Sequence, residues 1–388
     1  MMITIIKNGQ VLSPENLGKK DLLIVGKTIV NIADTIEPGI GMGSVKIIDA
    51  AGRYVIPGLI DQHNHLLGGG GEGGPSTRTP EVFLSHLTSV GITTVIGVLG
   101  TDGVTRSVEA LLAKARGLEE EGISSWIYTG SYDLPSPTIT GSVRSDVALI
   151  DKVVGCKVAI ADHRSSQPSL HELARMAAES RVGGLLGGKA GVLHFHVGDT
   201  KQKLDILFSL VAETSIPIDH FTPTHLNKNK ELLMEGVKFA QMGGKIDITS
   251  GSPPIAPTRL QPPEAIKLCL AEGVSLDRIT MSSDGNGSMP VFNEKRELVG
   301  LTAASPVSLF NAVCNIVKAG ILPLEDAIRP VTINPATSLK LPNKGRLALG
   351  FDADILILDQ ELKIKYVFAK GRCMLDGDAV VTGVFEKR

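Results

Sequence analysis

Short apolar runs alternate with helix-like segments between residues 57 and 345. Eight of these runs have the length of β-strands, and each is followed by a segment typical of a helix. Strict alternation of this kind is typical of parallel strands with helices packed outside them. The sequence therefore predicts an α/β fold, specifically a (β/α)8 TIM-type barrel. A doubly wound sheet is the alternative, but it offers no reason for the polar residues that close so many of the runs.

The two ends of the chain have a different character from the centre. Residues 1–56 and 346–388 contain short β-like runs, separated near the N-terminus by Asn-Gly, Gly-Lys and Pro-Gly turns. Neither end can bury much apolar surface by itself, so we expect the two to pair into one small β-sandwich domain. The barrel domain, residues 57–345, would then be an insertion between them.

Ionisable side chains close several of the predicted strands. His63 and His65 end the first strand one residue apart, which places their side chains on one face. His196, His225 and Asp284 end three later strands. A His-x-His pair alone can simply be two polar residues that close a strand. In a barrel, however, the carboxyl ends of all strands meet at one mouth, and several histidines with a carboxylate suit zinc-type ions.

Lys157 lies inside another apolar run and has two interpretations. A lysine is normally cationic and therefore unfavourable beside a metal ion, so it could be paired with a carboxylate. If its amine reacts with carbon dioxide, it becomes a carbamate with two oxygens and a negative charge, which can bridge two cations. The four histidines and Asp284 at matching strand ends favour the carbamate.

Composition limits the classes of function. A chain of 388 residues with 43% hydrophobic and 21% charged residues is ordinary for a globular enzyme with one large and one small domain. The net charge of −2 gives no reason to expect nucleic acid or a membrane as partner. The apolar run at the N-terminus is too short for a signal peptide and no run approaches a membrane span, so a cytoplasmic location is the default prediction. Four widely spaced cysteines without a CxxC pair predict reduced thiols.

The order of these residues resembles the amidohydrolase superfamily, which has His-x-His on strand one, lysine on strand four, histidines on strands five and six, and aspartate on strand eight. Within it, the chain is similar over essentially its whole length to the isoaspartyl (β-aspartyl) dipeptidase family. The motifs that carry this similarity are Asp61-Gln-His-Asn-His65, Gly68-Gly-Gly-Gly-Glu72, Thr140-Gly-Ser-Val-Arg-Ser-Asp146, Ser180-Arg-Val-Gly-Gly-Leu-Leu-Gly-Gly-Lys189 and Ser282-Ser-Asp-Gly-Asn-Gly-Ser288.

The resemblance implies a binuclear zinc dipeptidase that hydrolyses the isopeptide bond of N-terminal isoaspartyl dipeptides, with a metal-bridged hydroxide as nucleophile. It assigns the ligands in two sets, His63, His65 and Asp284 for one zinc ion and His196 and His225 for the other, with Lys157 as N6-carboxylysine between them. Asp284 would act as general base and acid, and Tyr132 would help to stabilise the oxyanion. His194, on the same face as His196, is a weaker candidate ligand.

The substrate is expected to be a small dipeptide with an ammonium group and two carboxylates. Glu72, in a glycine-rich loop, suits the ammonium, and Arg164 suits a carboxylate unless it forms a surface salt bridge. The predicted substrate-binding residues are Glu72, Arg164, Lys228, Ser288, Gly70, Gly71 and Thr101. Lys228 stands where the family pattern has arginine, and it lacks the planar fork that arginine offers. It could also be a solvated loop residue, so the preferred leaving residue stays open.

Two other classes of function remain as alternatives. The first is another amidohydrolase that acts on cyclic amides or N-acyl amino acids, which should lack the Glu72 loop and the Tyr132 segment. The second is a non-catalytic amidohydrolase-like scaffold, in which metal ligands are typically lost, whereas all six candidates are present here. We also expect the protein to form a homo-oligomer of undetermined size.

Overall fold

The computed structural model describes residues 2–39, 43–251, 258–293 and 298–386. The strands are β1 (Ile3–Leu12), β2 (Asn16–Val25), β3 (Thr28–Ala33), β4 (Val45–Asp49), β5 (Tyr54–Pro57), β6 (Leu59–Asn64), β7 (Ile92–Gly97), β8 (Ser124–Gly130), β9 (Val153–Ile160), β10 (Val192–Val197), β11 (Phe221–Thr224), β12 (Ile246–Thr249), β13 (Ile279–Ser282), β14 (Ser288–Phe292), β15 (Leu298–Ala303), β16 (Ile355–Leu358), β17 (Ile364–Ala369), β18 (Arg372–Asp376) and β19 (Ala379–Val380). The α-helices are α1 (Leu84–Thr88), α2 (Val108–Glu121), α3 (Val143–Leu149), α4 (Leu170–Gly187), α5 (Asp205–Glu213), α6 (Lys230–Gln241), α7 (Pro262–Ala271), α8 (Val307–Lys318), α9 (Leu324–Ala327) and α10 (Ile333–Ser338).

Both chain ends contribute to one nine-stranded sheet. Its order is β19-β18-β17-β16-β5-β1-β2-β3, with β4 beside β1, and the two ends meet in the antiparallel pair of β5 and β16. Apolar residues from both ends form a separate core, for example Ile6 and Ile24 with Ile355 and Phe368. The prediction that the ends pair is confirmed, although the strands are joined in one connected sheet instead of two separate sheets of a sandwich.

The strands β6 to β13 alternate with helices, as predicted. The first six, β6 to β11, pair in chain order as a curled parallel sheet, and β12 pairs with β13 in a second parallel sheet. An isolated bridge between Asn64 and Gly285 joins the two sheets at one edge, and the Thr224 hydroxyl donates to the Asp247 carboxylate (2.6 Å) at the other. The arrangement is consistent with a TIM-type barrel, but the backbone ladder of the described residues is not closed.

The predicted strand over residues 54–60 is in fact two strands, β5 and β6, which belong to different sheets. The chain passes between the sheets at Gly58, whose backbone N–H donates to the carbonyl of Asp354 (2.9 Å). A Cβ atom at this position would lie 2.2 Å from Oγ1 of Thr93, so a larger residue does not fit. A continuous apolar run therefore hides a change of sheet.

Two further differences concern loops near the strand ends. The predicted strand over residues 216–223 begins only at Phe221, because Ile218–His220 forms a 3₁₀ helix and Pro217 has no N–H to donate to a ladder. The hairpin of β14 and β15, which follows β13, was not predicted from the sequence. In the described part of the chain no helix is both long and apolar enough to cross a bilayer.

The space enclosed by the parallel strands contains a polar network below the strand ends. The buried Asp247 carboxylate accepts hydrogen bonds from Gln62 (2.6 Å), Thr224 (2.6 Å), Thr280 (2.8 Å) and Ser282 (2.6 Å). Burial raises the pKa of Asp247, although these four donors oppose the shift. The network links β6, β11, β12 and β13, and so holds the strands that carry the candidate site in register.

A buried lysine joins the sheet of the chain ends to the parallel strands. The Nζ atom of Lys344 lies 2.6 Å from Asp354 and 2.8 Å from Asp352, and it donates to the hydroxyl of Ser124 at the start of β8 (2.6 Å). Burial alone would lower the pKa of Lys344, but the two carboxylates raise it above its ordinary value, so the side chain is cationic.

We expect Lys344→Ala to lower the free energy of unfolding by about 3 kcal/mol, because it leaves two largely buried carboxylates without their cation. The matched control is Lys363→Ala, which removes a lysine from an exposed pair with Glu361 and should change stability little. Urea unfolding followed by circular dichroism measures both variants. A loss in Lys344→Ala no larger than that of the control would contradict the linking role.

Candidate functional site

The carboxyl ends of the parallel strands bring together histidines and one aspartate. His63 lies in β6 and His65 directly follows it, and their Nε2 atoms are 3.4 Å and 3.2 Å from the same oxygen of Asp284. Asp284 follows β13 in the left-handed backbone region (φ 55°), which turns its carboxylate toward the histidines. The shared face that the His-x-His spacing predicts is therefore present.

His196 and His225 extend this cluster from the neighbouring strands. Their rings lie 4.6 Å apart, and the ring of His225 is 5.1 Å from that of His63. His225 also has a left-handed backbone (φ 67°), and its Nδ1 atom is within hydrogen-bond distance of the Thr249 hydroxyl (2.7 Å). The ligand atoms of His63, His225 and Asp284 lie within 4.8 Å of one another, so the structure brings the two predicted ligand sets into one cluster.

Lys157 points from β9 into this cluster and is completely buried. Its Nζ atom lies 3.2 Å from Nε2 of His63, and among the described residues no carboxylate oxygen is within 4.0 Å of it. Burial lowers the pKa of Lys157 to about 7, so a substantial fraction of the amine is neutral near neutral pH. A neutral amine is the form that reacts with carbon dioxide, whereas the alternative of a direct ion pair is not observed.

The chemistry of these donors fits divalent ions of the zinc type. Burial lowers the pKa values of His63, His196 and His225 well below the ordinary value, which keeps the imidazoles neutral, the form that binds metal. The Nδ1 atom of His65 is buried and has no hydrogen-bond partner among the described residues. Clustered imidazoles beside a carboxylate are a donor set that zinc prefers.

His194 takes a different position from that of a ligand at the open end of the cluster. It is fully buried, stacks on Tyr128 with ring centroids 4.8 Å apart, and its Nε2 atom lies 2.9 Å from Nδ1 of His63. Through this contact His194 helps to orient the ring of His63. The weaker expectation that His194 is itself a ligand stays a prediction.

Asp162 is a member of the site that sequence reasoning missed. Its carboxylate accepts hydrogen bonds from Nε2 of His196 (2.8 Å) and from the guanidinium of Arg164 (2.9 and 2.8 Å). Burial alone would raise the pKa of Asp162, but these donors outweigh it and hold the pKa well below its usual range. The only sequence signal was the position of Asp162 just after β9.

Both ring nitrogens of His196 have protein partners, because its Nε2 atom contacts Asp162 and its Nδ1 atom is hydrogen-bonded to the Tyr132 hydroxyl. Binding a metal ion therefore requires His196 to release one of them.

Lys228 is not the solvated loop residue that was one of its two interpretations. Its Nζ atom donates to the carbonyl of Val197 (2.6 Å) and lies 3.4 Å from Nε2 of His196. Burial lowers the pKa of Lys228 to about 8. The lysine is therefore held at the edge of the histidine cluster, where a bound anion would meet it.

Glu72 and Arg164 meet above the cluster. One oxygen of Glu72 accepts hydrogen bonds from Nη1 of Arg164 (3.1 Å) and from the hydroxyl of Thr101 (3.0 Å). The guanidinium of Arg164 also lies over the ring of Tyr132, 5.7 Å from its centroid. An acidic and a basic group thus face each other at the position where we expect a zwitterionic ligand to bind.

These residues line one cleft of about 620 Å³. The predicted substrate residues that line it are Gly70, Glu72, Thr101, Arg164, Lys228 and Ser288. Gly71 does not line it and instead lies beside Arg78. Two further cations, Arg106 and Arg259, line the cleft and were not singled out from the sequence, since each lies in a loop without a distinctive motif.

Comparisons with known proteins agree on the family. A model of the amidohydrolase family matches residues 54–376. Beta-aspartyl dipeptidase from Fervidobacterium islandicum AW-1, solved in complex with the β-Asp-Leu dipeptide, is 44% identical with a TM-score of 0.91, over 99% of this chain and 100% of that one. Dihydroorotase from Streptococcus pyogenes serotype M1 is 27% identical over 91% of this chain and 87% of its own length. Dihydropyrimidinase from Brevibacillus agri NCHU1002 shares the fold, with a TM-score of 0.71 at 16% identity over 98% and 97% of the two chains.

The buried amine of Lys157 should destabilise the metal-free protein. Its pKa falls from 10.5 to about 7 on folding. Between these values the unfolded chain binds more protons than the folded chain, so the penalty is greatest at pH 7 and below and declines toward pH 10. Lys157→Met should therefore raise the free energy of unfolding of metal-free protein at pH 7 by about 2 kcal/mol or more, with a smaller gain at pH 9.

Thermal unfolding at both pH values, in buffer without bicarbonate or metal, measures this effect. Lys230→Met, at an exposed position of α6, is the matched control and should change stability little at either pH. A metal-free Lys157→Met protein that is less stable than the unaltered protein at pH 7 would contradict the expected penalty.

Proposed function

The chain belongs to the amidohydrolase family, and we propose that it is a dipeptidase that hydrolyses the β-aspartyl bond of N-terminal isoaspartyl dipeptides. It is a hydrolase that acts on peptide bonds. The observation that carries the finer proposal is the contact between Glu72 and Arg164 in a cleft above the cluster of histidines and Asp284. That contact brings one anion and one cation together, and the ammonium group and the carboxylates of an isoaspartyl dipeptide are the partners that these two groups would bind.

The charges of the cleft match those of the substrate. Glu72 offers a carboxylate to the ammonium group, and Thr101 holds one of its oxygens in place (3.0 Å). Arg164 keeps two contacts with Asp162 while Nη1 faces Glu72, so its guanidinium stays in position when a substrate carboxylate replaces that contact. A bound dipeptide would therefore exchange one ion pair for two, which favours zwitterions over neutral amides.

The residues that would hold two zinc ions are His63, His65, His196, His225, Asp284 and a carboxylated Lys157. When bound, the ions supply a nucleophilic hydroxide from water and polarise the scissile carbonyl. Asp284 lies beside both His63 and His65 and can take a proton from water and donate it to the leaving amine. Burial raises the pKa of Tyr132 well above its ordinary value, so its hydroxyl stays protonated and can donate to the developing oxyanion.

Hydrolysis of a cyclic amide is the second candidate, because the chain is also similar to dihydroorotase. A cyclic amide has no free ammonium group, so it leaves Glu72 without a partner other than Arg164 and Thr101. A non-catalytic scaffold is disfavoured because all the predicted ligands are present and cluster at one site.

We further propose that residues 1–56 and 346–388 form an accessory domain beside a catalytic domain at 57–345. Residues 387–388, like residue 1, lie outside the described part of the chain. The cytoplasmic location and the homo-oligomer stay predictions.

The deciding experiment measures turnover of β-Asp-Leu, α-Asp-Leu and dihydroorotate by one preparation whose zinc content is determined in parallel. We expect β-Asp-Leu to be hydrolysed at least about a hundredfold more efficiently than either of the others. In β-Asp-Leu the ammonium group and a carboxylate stand on one carbon, a methylene group away from the scissile carbonyl, whereas in α-Asp-Leu the ammonium group is on the carbon bonded to that carbonyl and dihydroorotate has no ammonium group. Loss of activity on zinc removal and its return on adding zinc with bicarbonate is also expected. Faster turnover of dihydroorotate would overturn the proposal.

Lys228 is expected to bind a substrate carboxylate beside Arg164. Lys228→Met keeps most of the aliphatic stem and removes the partly buried charge, so KM for β-Asp-Leu should rise about tenfold while kcat changes less. Lys228→Arg, which offers a planar fork, should lower KM about fivefold. The matched control is Lys230→Met, on the same segment but exposed. Steady-state kinetics with an unchanged kcat/KM in Lys228→Met would make Lys228 a bystander.

A further inference from the structure

Arg106 lies in the cleft wall, is 5% exposed, and has no role in the chemistry described above. Its guanidinium makes five hydrogen bonds, which is the number of its N–H groups. Nε donates to the carbonyl of Leu67 (3.1 Å), Nη2 to those of Gly69 (3.0 Å) and Thr79 (3.3 Å), and Nη1 to that of Gly70 (3.3 Å) and to the Asp102 carboxylate (3.0 Å). With every donor used inside the protein, Arg106 has none left for a substrate.

The segment that Arg106 binds, residues 67–72, is called the glycine loop here. Gly68 and Gly70 have positive φ values of 78° and 72°, and a Cβ atom at Gly68 would lie 2.1 Å from the carbonyl oxygen of Thr79. The path of the loop therefore requires glycine at these positions. Glycine also allows the backbone many other conformations, so the glycines by themselves do not hold the loop in this path. Its inward carbonyls need donors because they are turned away from water.

The glycine loop connects the two ends of the cleft. At one end it continues into Glu72, which faces Arg164. At the other, the backbone N–H of Gly69 donates to the carbonyl of Asn286 (3.0 Å), two residues after Asp284. A shift of the loop would thus move Glu72 relative to the catalytic cluster.

We infer that Arg106 is the positioning residue that holds the glycine loop in the conformation in which Glu72 binds the substrate ammonium group. The inference rests on the proposed dipeptidase function, because it assigns the loop a role in recognising that group. Asp102, fixed by the backbone N–H of Thr105 (2.7 Å), accepts a hydrogen bond from the same Nη1 atom that donates to Gly70 and so anchors the guanidinium. The planar fork of arginine matters here. A lysine ammonium has its three donors on one nitrogen atom, so it cannot replace the separate contacts that Nε, Nη1 and Nη2 make with the carbonyls.

The alternative is that Arg106 only stabilises the fold. The two roles differ in what they do to substrate preference. A residue that positions Glu72 affects substrates with a free ammonium group and leaves N-acetylated substrates largely unaffected. A residue that only stabilises the fold lowers turnover of both to the same extent.

The test compares kcat and KM for β-Asp-Leu and N-acetyl-β-Asp-Leu in zinc-loaded protein carrying Arg106→Lys, Glu72→Gln or both. We expect Arg106→Lys to reduce the preference for the free dipeptide about tenfold, mainly through KM. The double variant should have the same preference as Glu72→Gln alone, because both changes remove one interaction. Lys344→Ala is the control for lost stability at a distant buried cation and should keep the preference.

Hydrogen exchange provides a readout that does not depend on activity. In Arg106→Lys the backbone amides of residues 67–72 should exchange at least about tenfold faster than in the unaltered protein, while those of β9 and β10 do not change. Equal losses for the two substrates, or unchanged exchange in the loop, would overturn the role of Arg106. If the unaltered protein does not hydrolyse β-Asp-Leu at all, the proposed function fails, and the exchange rates still report whether Arg106 holds the loop.

Discussion

Burial of ionisable groups at the carboxyl ends of strands β6 to β13 is the constraint on which the rest of this structure depends. Removing a charge from water is unfavourable unless it is paired, neutralised or bound to a metal. The cluster meets this requirement in a specific way: burial keeps His63, His196 and His225 neutral and lowers the pKa of Lys157 to about 7. The site therefore offers neutral nitrogen donors beside a carboxylate, a set that suits divalent cations.

The groups around the cluster are arranged to keep it in place. Asp247, on β12, accepts hydrogen bonds from side chains of β6, β11 and β13 and so joins four strands beneath the site. Asp162 connects His196 with Arg164, and thus links the histidine cluster to the group that faces Glu72. This chain of contacts makes the pair of Glu72 and Arg164 and the histidine cluster parts of one network, in which a displacement at one end would shift the groups at the other.

Much of the architecture could be predicted from local pattern. The alternation of apolar runs and helix-like segments predicted parallel strands with helices between them, and the β-like ends predicted a sheet built from both termini. The errors occur where a local pattern is ambiguous. Residues 54–60 read as one strand because both halves are apolar, and only the contact of Gly58 with Asp354 shows that they belong to different sheets. Closure of the barrel was overestimated for a similar reason, since backbone pairing between β11 and β12 depends on geometry that neither strand encodes alone.

The sequence by itself determined which chemical groups are available and on which strands they lie, because residue identity and the periodicity of a strand are local properties. For that reason His63 and His65 share a face. The placement of His196, His225 and Asp284 at strand ends has the same local origin. Only the tertiary structure decided which groups touch. Glu72 and Arg164 are 92 residues apart in the chain, and Asp162 and Arg106 have no sequence signal for the contacts they make. These contacts depend on strand register, loop path and burial, which arise from the whole fold and not from any one segment.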